Sequence, residues 1–113
     1  MKQSEGSIQD AIRLEVGAMP DVRLWRNNGG VASHADGSRV RYGLAVGSAD
    51  LIGILRPSGR FIALEVKRPG ERETPKQRAW LAIVQNFGGF AAVVSSVDEA
   101  RQAVQRAREG ASE

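Results

Sequence analysis

Apolar residues recur at helical spacing in three segments of the chain. In SIQDAIRLEVGAM, intervals of three and four predict an amphipathic helix, and the apolar positions are Ile8, Ala11, Ile12, Leu14 and Val16. Ser4 or Ser7 is expected to cap its N-terminus, and Gly17 to end it. Two more helices are predicted in TPKQRAWLAIVQNFGG, with Thr74 as N-cap, and in SVDEARQAVQRAREG, with Ser96 or Ser95 as N-cap.

The remaining apolar segments are short and are predicted to be strands. They are DVRLWRNN, DLIGIL, RFIALEVK and FAAVVSS, and SRVRYG could pair as an edge strand. DLIGIL and RFIALEVK flank RPSG, whose Pro and Gly favour a tight turn, so this pair is expected to form a hairpin. A helical crossover can make the last strand parallel to its predecessor. The sequence therefore predicts an α/β fold with a small mixed β-sheet flanked by helices, in a single domain that spans residues 1–113.

Charged residues stand at the open end of this apolar hairpin. If Pro57 and Ser58 are the two turn residues, counting outward places Asp50 opposite Glu65. A turn one residue longer would place Asp50 opposite Val66, diagonal to Glu65 and Lys67. In either register the three charged groups share one end of the hairpin, since opposed residues have Cβ atoms about 5 Å apart.

This combination of charges suits phosphodiester chemistry. Two carboxylates so close repel each other, and a divalent cation such as Mg²⁺, which prefers hard oxygen ligands, removes the conflict. Lys67 adds a charge that can orient an attacking water or stabilise a developing negative charge. The structural alternative is that Asp50 caps a strand and that Glu65 and Lys67 lie on a solvated edge. Their place at the ends of apolar strands favours the catalytic interpretation.

Composition narrows the class of protein. The chain has no cysteine, which excludes disulfides, thiolate zinc sites and cysteine nucleophiles. Its N-terminus is polar, and no apolar run approaches the roughly 20 residues that span a bilayer, so we expect a cytoplasmic protein without a membrane segment.

The net charge of +3 suits a polyanionic partner without requiring one. Several basic residues lie on either side of the hairpin or just beyond it. Four of them are predicted DNA contacts, through phosphates, with an ordinary solvated face as the alternative; they are Arg26, Arg68, Lys76 and Arg78.

Other conspicuous residues favour structural roles. Trp25, Trp80 and Phe87 are expected in the core, Trp80 on a buried helix face with Ile83. Asn27 to Gly30 are expected to form a plain loop, and the charged C-terminal helix is expected to be exposed to solvent.

In its motifs the sequence resembles the VRR-NUC (virus-type replication-repair nuclease) branch of the PD-(D/E)XK nuclease superfamily. The matching segments are SEGSIQDAI, LWRNN, GSADLIGI, GRFIALEVKRPG, TPKQRAWL and GGFAAVV, in that order. The resemblance covers most of the chain, from Glu5 to the last strand. It departs from the superfamily pattern at Ala49, where the superfamily has a proline that takes no part in the chemistry.

The resemblance implies roles for particular residues. Asp50 and Glu65 would bind the metal, together with the main-chain carbonyl of Val66, and Lys67 would be the catalytic lysine. It also implies a helix acid, which corresponds to Glu5 or, less well by spacing, to Glu15, and an active-site glutamine, Gln77.

The activity implied is Mg²⁺- or Mn²⁺-dependent endonucleolytic cleavage of DNA. Relatives that stand alone are typical of bacteriophages and resemble homodimeric nucleases of branched or junction DNA, which would place this one in the host cytoplasm. The alternative is a non-catalytic DNA-binding or assembly subunit with a nuclease-like fold.

Overall fold

The computed structural model describes residues 3–113, which form three helices and six strands. In chain order these are α1 (Glu5–Val16), β1 (Val22–Arg26), β2 (Gly30–Ser33), β3 (Arg39–Tyr42), β4 (Leu51–Leu55), β5 (Arg60–Val66), α2 (Pro75–Asn86), β6 (Phe90–Val94) and α3 (Val97–Arg108). Within these described residues, no helix is long and apolar enough to cross a membrane.

The strands form one mixed sheet and a separate ribbon. The sheet has the order β1-β4-β5-β6, in which β5 and β6 are parallel and the other neighbours antiparallel. Helix α2 makes the crossover between β5 and β6, which allows the two strands to run in the same direction. The predicted mixed α/β fold is confirmed. Strands β2 and β3 pair only with each other, as a two-stranded antiparallel ribbon.

Helices cover both faces of the four-stranded sheet. On one face, α1 and α3 pack against the sheet and form with it the larger apolar cluster, which includes Ile12 of α1, Leu64 of β5 and Phe90 of β6. On the other face, α2 places Leu81 and Val84 over the small residues of β5 and β6. Strand β5 therefore lies between two helical layers, whereas β4 is covered mainly on the face of α1 and α3.

Two expectations about exposure were wrong. Trp25 is 50% exposed and Phe87 88%, and Ile83 is also exposed, because α2 covers β5 and β6 but leaves β1 and much of β4 open on that face. Trp80 is half-buried and meets Phe61 edge to face, with ring centroids 6.4 Å apart. Conversely, α3 is not a solvated helix, since it buries a stripe of small apolar residues in the core, namely Ala100, Ala103, Val104 and Ala107.

The hairpin register decides between the two sequence alternatives. Leu55 pairs with Arg60 and Leu51 with Leu64, and extending the same register by one residue sets Asp50 opposite Glu65. This is the register expected from a two-residue turn, although the turn itself spans Arg56 to Gly59 and is closed by the N–H of Gly59, which donates to the carbonyl of Leu55 at 2.9 Å. Both carboxylates therefore stand at the open end of the hairpin, where β4 begins and β5 ends.

Candidate metal centre and active site

Asp50 is held by the main chain on both sides of it. Its Oδ2 accepts a hydrogen bond from the N–H of Val66 at 2.8 Å, so the side chain takes the place of a ladder partner just before β4 begins. Its own carbonyl accepts from the N–H of Asn27, also at 2.8 Å. The carboxylate is thereby fixed against the end of β5.

Asn27, which was expected to lie in a plain loop, supports this arrangement with its side chain. Its Nδ2 donates to the hydroxyl of Ser48 and to the carbonyl of Ala49, each at 2.8 Å. These bonds fix the segment that leads into Asp50. An asparagine directly after a strand is a weak sequence signal, since turns and loops favour this residue in general.

Glu65 is a buried carboxylate with an incomplete set of partners. Its side chain is 1% exposed, and Oε2 has no hydrogen-bond partner within residues 3–113. Burial and the adjacent Asp50 carboxylate together raise the pKa of Glu65 to about 8, and the charge of Lys67 offsets only part of this rise. Below that pH the site holds a proton where a cation could bind.

Gln77 fixes the other oxygen of Glu65. Its Nε2 donates to Oε1 of Glu65 at 2.9 Å, while its own Oε1 accepts from the N–H of Thr74 at 2.8 Å. The Thr74 hydroxyl in turn accepts from the N–H of Gln77, which completes a capping box at the start of α2. The helix cap therefore determines which way the amide of Gln77 points.

Lys67 and the carbonyl of Val66 complete the group. The Lys67 Nζ lies 3.8 Å from Oε1 of Glu65, and the side chain is largely buried. The N–H of Lys67 bonds the carbonyl of Val94 in the parallel ladder. Because successive residues of a strand direct their peptide groups to opposite neighbours, Val66 directs its N–H and C=O away from β6, towards Asp50.

These residues fit a divalent cation. Two carboxylates and a main-chain carbonyl are hard oxygen donors of the kind that Mg²⁺ and Mn²⁺ accept, with water and substrate oxygens filling the other positions. The buried, unpartnered Oε2 of Glu65 lacks what a cation would supply. No cluster of three or more His, Cys, Asp or Glu side chains suited to a metal occurs in the described part of the chain, so Glu5 does not form a third carboxylate ligand here.

The two candidate helix acids lie at opposite ends of α1. Glu5 begins the helix and is half-buried. The pKa of Arg68, which follows Lys67 in the chain, is raised chiefly by its hydrogen bond to Glu71, and the charge of Glu5 makes a smaller contribution. Glu15 lies ten residues further on, about 15 Å along the helix axis, and pairs with Arg101 of α3 at 2.7 Å. Position favours Glu5.

The four predicted DNA contacts fall into two groups. All are exposed, but Arg68 pairs with Glu71 at 2.7 Å and Arg78 with Glu73 at 3.2 Å. Arg26, at the end of β1, and Lys76, in the first turn of α2, form no ion pair with any residue of the 3–113 range.

The loop that leads to Asp50 closes directly onto α2. Gly47 has a positive φ of 89°, and a Cβ atom at this position would lie 2.7 Å from the carbonyl oxygen of Lys76. Only glycine permits so close an approach of the two backbones. The contact brings the segments that carry Asp50 and Gln77 together.

Comparison with known proteins agrees with this geometry. Among solved structures, a "VRR_NUC domain protein" superposes with a TM-score of 0.69 at 18% identity, covering 98% of this chain and 93% of that one. A second, "VRR_NUC domain", superposes with a TM-score of 0.61 at 22% identity, covering 89% and 94%. At these identities the two structures establish the fold. No curated protein sequence matches the chain.

Comparison with protein-family models identifies the family of this chain. Residues 7–98 match the family described as VRR-NUC domain, a span that runs from α1 through the hairpin, α2 and β6 to the start of α3. The resemblance seen in the motifs is confirmed. The chain belongs to the VRR-NUC family and has a nuclease-type fold.

Proposed function

We propose that this protein is a divalent-metal-dependent endodeoxyribonuclease that hydrolyses DNA phosphodiester bonds. The observation that carries the proposal is the buried, unpartnered Oε2 of Glu65 beside the carboxylate of Asp50. A carboxylate pair so arranged is unfavourable when both groups are ionised, and cation binding relieves it. Family membership also supports a nuclease, since the fold is of nuclease type.

Asp50, Glu65 and the carbonyl of Val66 would hold Mg²⁺ or Mn²⁺. When bound, such a cation polarises the scissile phosphate and offsets the charge that develops on its oxygens. Asp50 is kept in place by Val66 N–H, and Glu65 by Gln77, so the ligands are oriented before the cation arrives.

Lys67 and Glu5 act on the substrate side of this centre. The ammonium group of Lys67, held near Glu65, orients the attacking water or stabilises the negative charge on the phosphate oxygens. Glu5, at the start of α1, would be the helix acid. Gln77 would support the centre through its hydrogen bond to Glu65.

DNA would be positioned by the basic residues around the centre. Arg26 and Lys76 are available for phosphates directly, whereas Arg68 and Arg78 would exchange exposed carboxylate partners for phosphates. Exposed pairs of this kind are worth about 1 kcal/mol or less, so the exchange costs little. Such contacts set the register of the duplex without reading its sequence.

We also propose that the protein acts as a homodimer with two active sites. Two sites suit branched or junction DNA, in which two strands are cut. A group of exposed apolar residues on the open side of the sheet supports self-association, because large exposed apolar patches mark protein–protein contacts. The contributing residues are Trp25, Ile54, Phe61, Ile83 and Phe87. Residues 1–113 would form a single domain acting in the cytoplasm, that of the host cell if a bacteriophage encodes it.

The test is cleavage of linear duplex, single-stranded, flap and four-way-junction DNA with Mg²⁺ or Mn²⁺, alongside the mass in solution. We expect cleavage by the native chain, none by Glu65→Gln, and native activity in the control Glu109→Gln, which removes an exposed carboxylate at the end of α3. Cleavage by a clean Glu65→Gln preparation would refute the assignment. DNA binding with neither cleavage nor Mn²⁺ binding by calorimetry would favour the non-catalytic alternative.

A further inference from the structure

We propose that the β2–β3 ribbon is a DNA-binding arm, which holds the duplex beside the scissile phosphate through Arg39 and Arg41. The proposal rests on the proposed function and adds to it a second contact surface for DNA. The arm lies between β1 and the loop that leads to Asp50. It is therefore attached on both sides to segments that build the active centre.

The register divides the ribbon into a basic and an apolar face. Arg39 pairs with Ser33 and Arg41 with Val31, and because directly paired residues share a face, these four lie on one side. The other side carries Ala32 opposite Val40 and Gly30 opposite Tyr42, whose ring lies over the glycine. All of β3 is exposed, so both arginines are accessible.

The charge of the basic face is not neutralised within the protein. Neither Arg39 nor Arg41 forms an ion pair with any residue from 3 to 113. Asp36 is the one acidic residue between Asn27 and Ala49, and its Oδ1 is occupied by the N–H and hydroxyl of Ser38 at 2.9 and 2.6 Å. Two arginines on one strand face without a nearby counter-charge suit a row of phosphates.

The base of the arm opens towards the active centre. Arg41 and Val31 of the basic face, with Gly30 and Tyr42 of the other face, line an open cavity of about 270 Å³ that Asp50 also lines. A DNA strand whose scissile phosphate lies at Asp50 would therefore pass the base of the arm. A two-stranded ribbon is also of a size that the major groove, about 12 Å wide, admits, so one strand of the arm can follow the backbone while its tip enters the groove.

A second copy of the chain is the competing occupant. A two-fold contact through the basic faces would bring four arginines together, which is unfavourable without anions between them. The charge of this face therefore favours DNA over a partner subunit.

The test measures binding of a labelled 20-base-pair duplex by fluorescence anisotropy between 50 and 250 mM KCl. All proteins carry Glu65→Gln, so that bound DNA is not cut. Arg41→Gln and Arg39→Gln are compared with Arg56→Gln, which removes the same charge at the opposite end of the hairpin. Arg41→Lys serves as the rescue variant, because it retains a phosphate-binding charge.

We expect each arm substitution to lower the slope of log K against log salt by about 0.9, and to weaken binding about fivefold at 0.15 M salt, as for one lost phosphate contact. Arg56→Gln should leave the slope unchanged, and Arg41→Lys should restore it. If the Glu65→Gln protein binds DNA and both arm variants have the same slope as it does, the proposal that the arm binds DNA is wrong, while the proposed function stands. A change from dimer to monomer in the arm variants would reassign the face to a partner subunit. A parent that binds no DNA would refute the proposed function itself.

Discussion

Gln77 donates its side-chain amide to Oε1 of Glu65 at 2.9 Å, from the third residue of α2. A single amide thus connects the start of a helix to a carboxylate at the end of a buried strand. Because the Gln77 carbonyl is occupied by the N–H of Thr74, the amide cannot turn over without breaking the helix cap. The orientation of Glu65 depends on how that helix begins.

Loss of this connection should weaken cation binding. Gln77→Ala removes the only side-chain donor to Glu65 found among residues 3–113, and we expect a 10- to 100-fold loss of Mn²⁺ affinity, the usual effect of removing a partner of a metal ligand. Calorimetric titration with Mn²⁺ measures it. Thr74→Ala should give a smaller loss and cost about 1 kcal/mol of folding stability through the lost cap, whereas Thr74→Ser keeps the cap and should match the native chain. Equal Mn²⁺ affinity in Gln77→Ala would contradict the role of the amide.

The raised pKa of Glu65 predicts how stability changes with pH in the metal-free protein. The folded state keeps a proton up to about pH 8 that the unfolded chain releases near its ordinary value of 4.5. Between these values the folded state binds more protons, so stability is greatest near or below pH 4.5 as far as this group is concerned, and falls as pH rises through about 8. We expect a melting temperature that declines across this window in EDTA.

Two comparisons isolate the contribution of Glu65. Glu65→Gln should flatten the decline, whereas Glu109→Gln, at the exposed end of α3, should retain it. At pH 8, Mn²⁺ at about 100 times its dissociation constant should add about 2.7 kcal/mol of stability to the native chain and nothing to Glu65→Gln. A decline of equal size in Glu65→Gln and the native chain would show that other groups cause it.

Lys67 should separate cation binding from chemistry. Lys67→Met removes a positive charge 3.8 Å from Glu65, so Mn²⁺ should bind equally well or more tightly. Cleavage should nevertheless fall by about 100-fold or more, since the charge that orients water or stabilises the phosphate oxygens is gone. Mn²⁺ calorimetry and a cleavage time course on the same preparation measure both. Parallel loss of Mn²⁺ binding and cleavage would instead assign Lys67 to holding Glu65.

Asn27 should prove necessary for the position of Asp50. Asn27→Ala removes two half-buried hydrogen bonds, to Ser48 and Ala49, and should cost about 2 kcal/mol of stability. It should also reduce cleavage, because the segment that enters Asp50 loses its support. The matched control is the adjacent, exposed Asn28→Ala, which should change neither the urea midpoint nor the cleavage rate. Native cleavage by Asn27→Ala would show that the main-chain bond to Asp50 suffices.

The pairing of the two strands that carry Asp50 and Glu65 was predictable from the sequence. The hydrogen bonds that hold these two carboxylates in place were not. Counting outward from Pro57 and Ser58 placed Asp50 opposite Glu65 in one of two registers, and the hairpin adopts that register, although its turn is four residues long. The spacing of Thr74 and Gln77 is a recognisable capping box, but its bond to Glu65 depends on where the crossover returns α2 to the sheet. That docking is a property of the whole fold.

The prediction that the aromatic residues would be buried was wrong for a similar reason. Helical and strand periodicity shows which residues share a face, but not how many strands an opposing helix covers. Because α2 lies over β5 and β6, Trp25 and Phe87 remain exposed although their patterns are apolar. In the ribbon, the alternation of Arg39 and Arg41 with Val40 and Tyr42 is visible in the sequence, but the residues of β2 that share each face are fixed by the register, which pairs Val31 with Arg41.

The capping box at the start of α2 has a consequence for how the proposed cleavage activity would be lost on warming. Helix ends open more readily than the core and do so while the rest of the molecule is folded. Each opening of the first turn of α2 releases Gln77 and frees the Glu65 carboxylate to rotate. We therefore expect fraying of this single helical turn to limit the temperature range of the proposed cleavage, with inactivation before global unfolding.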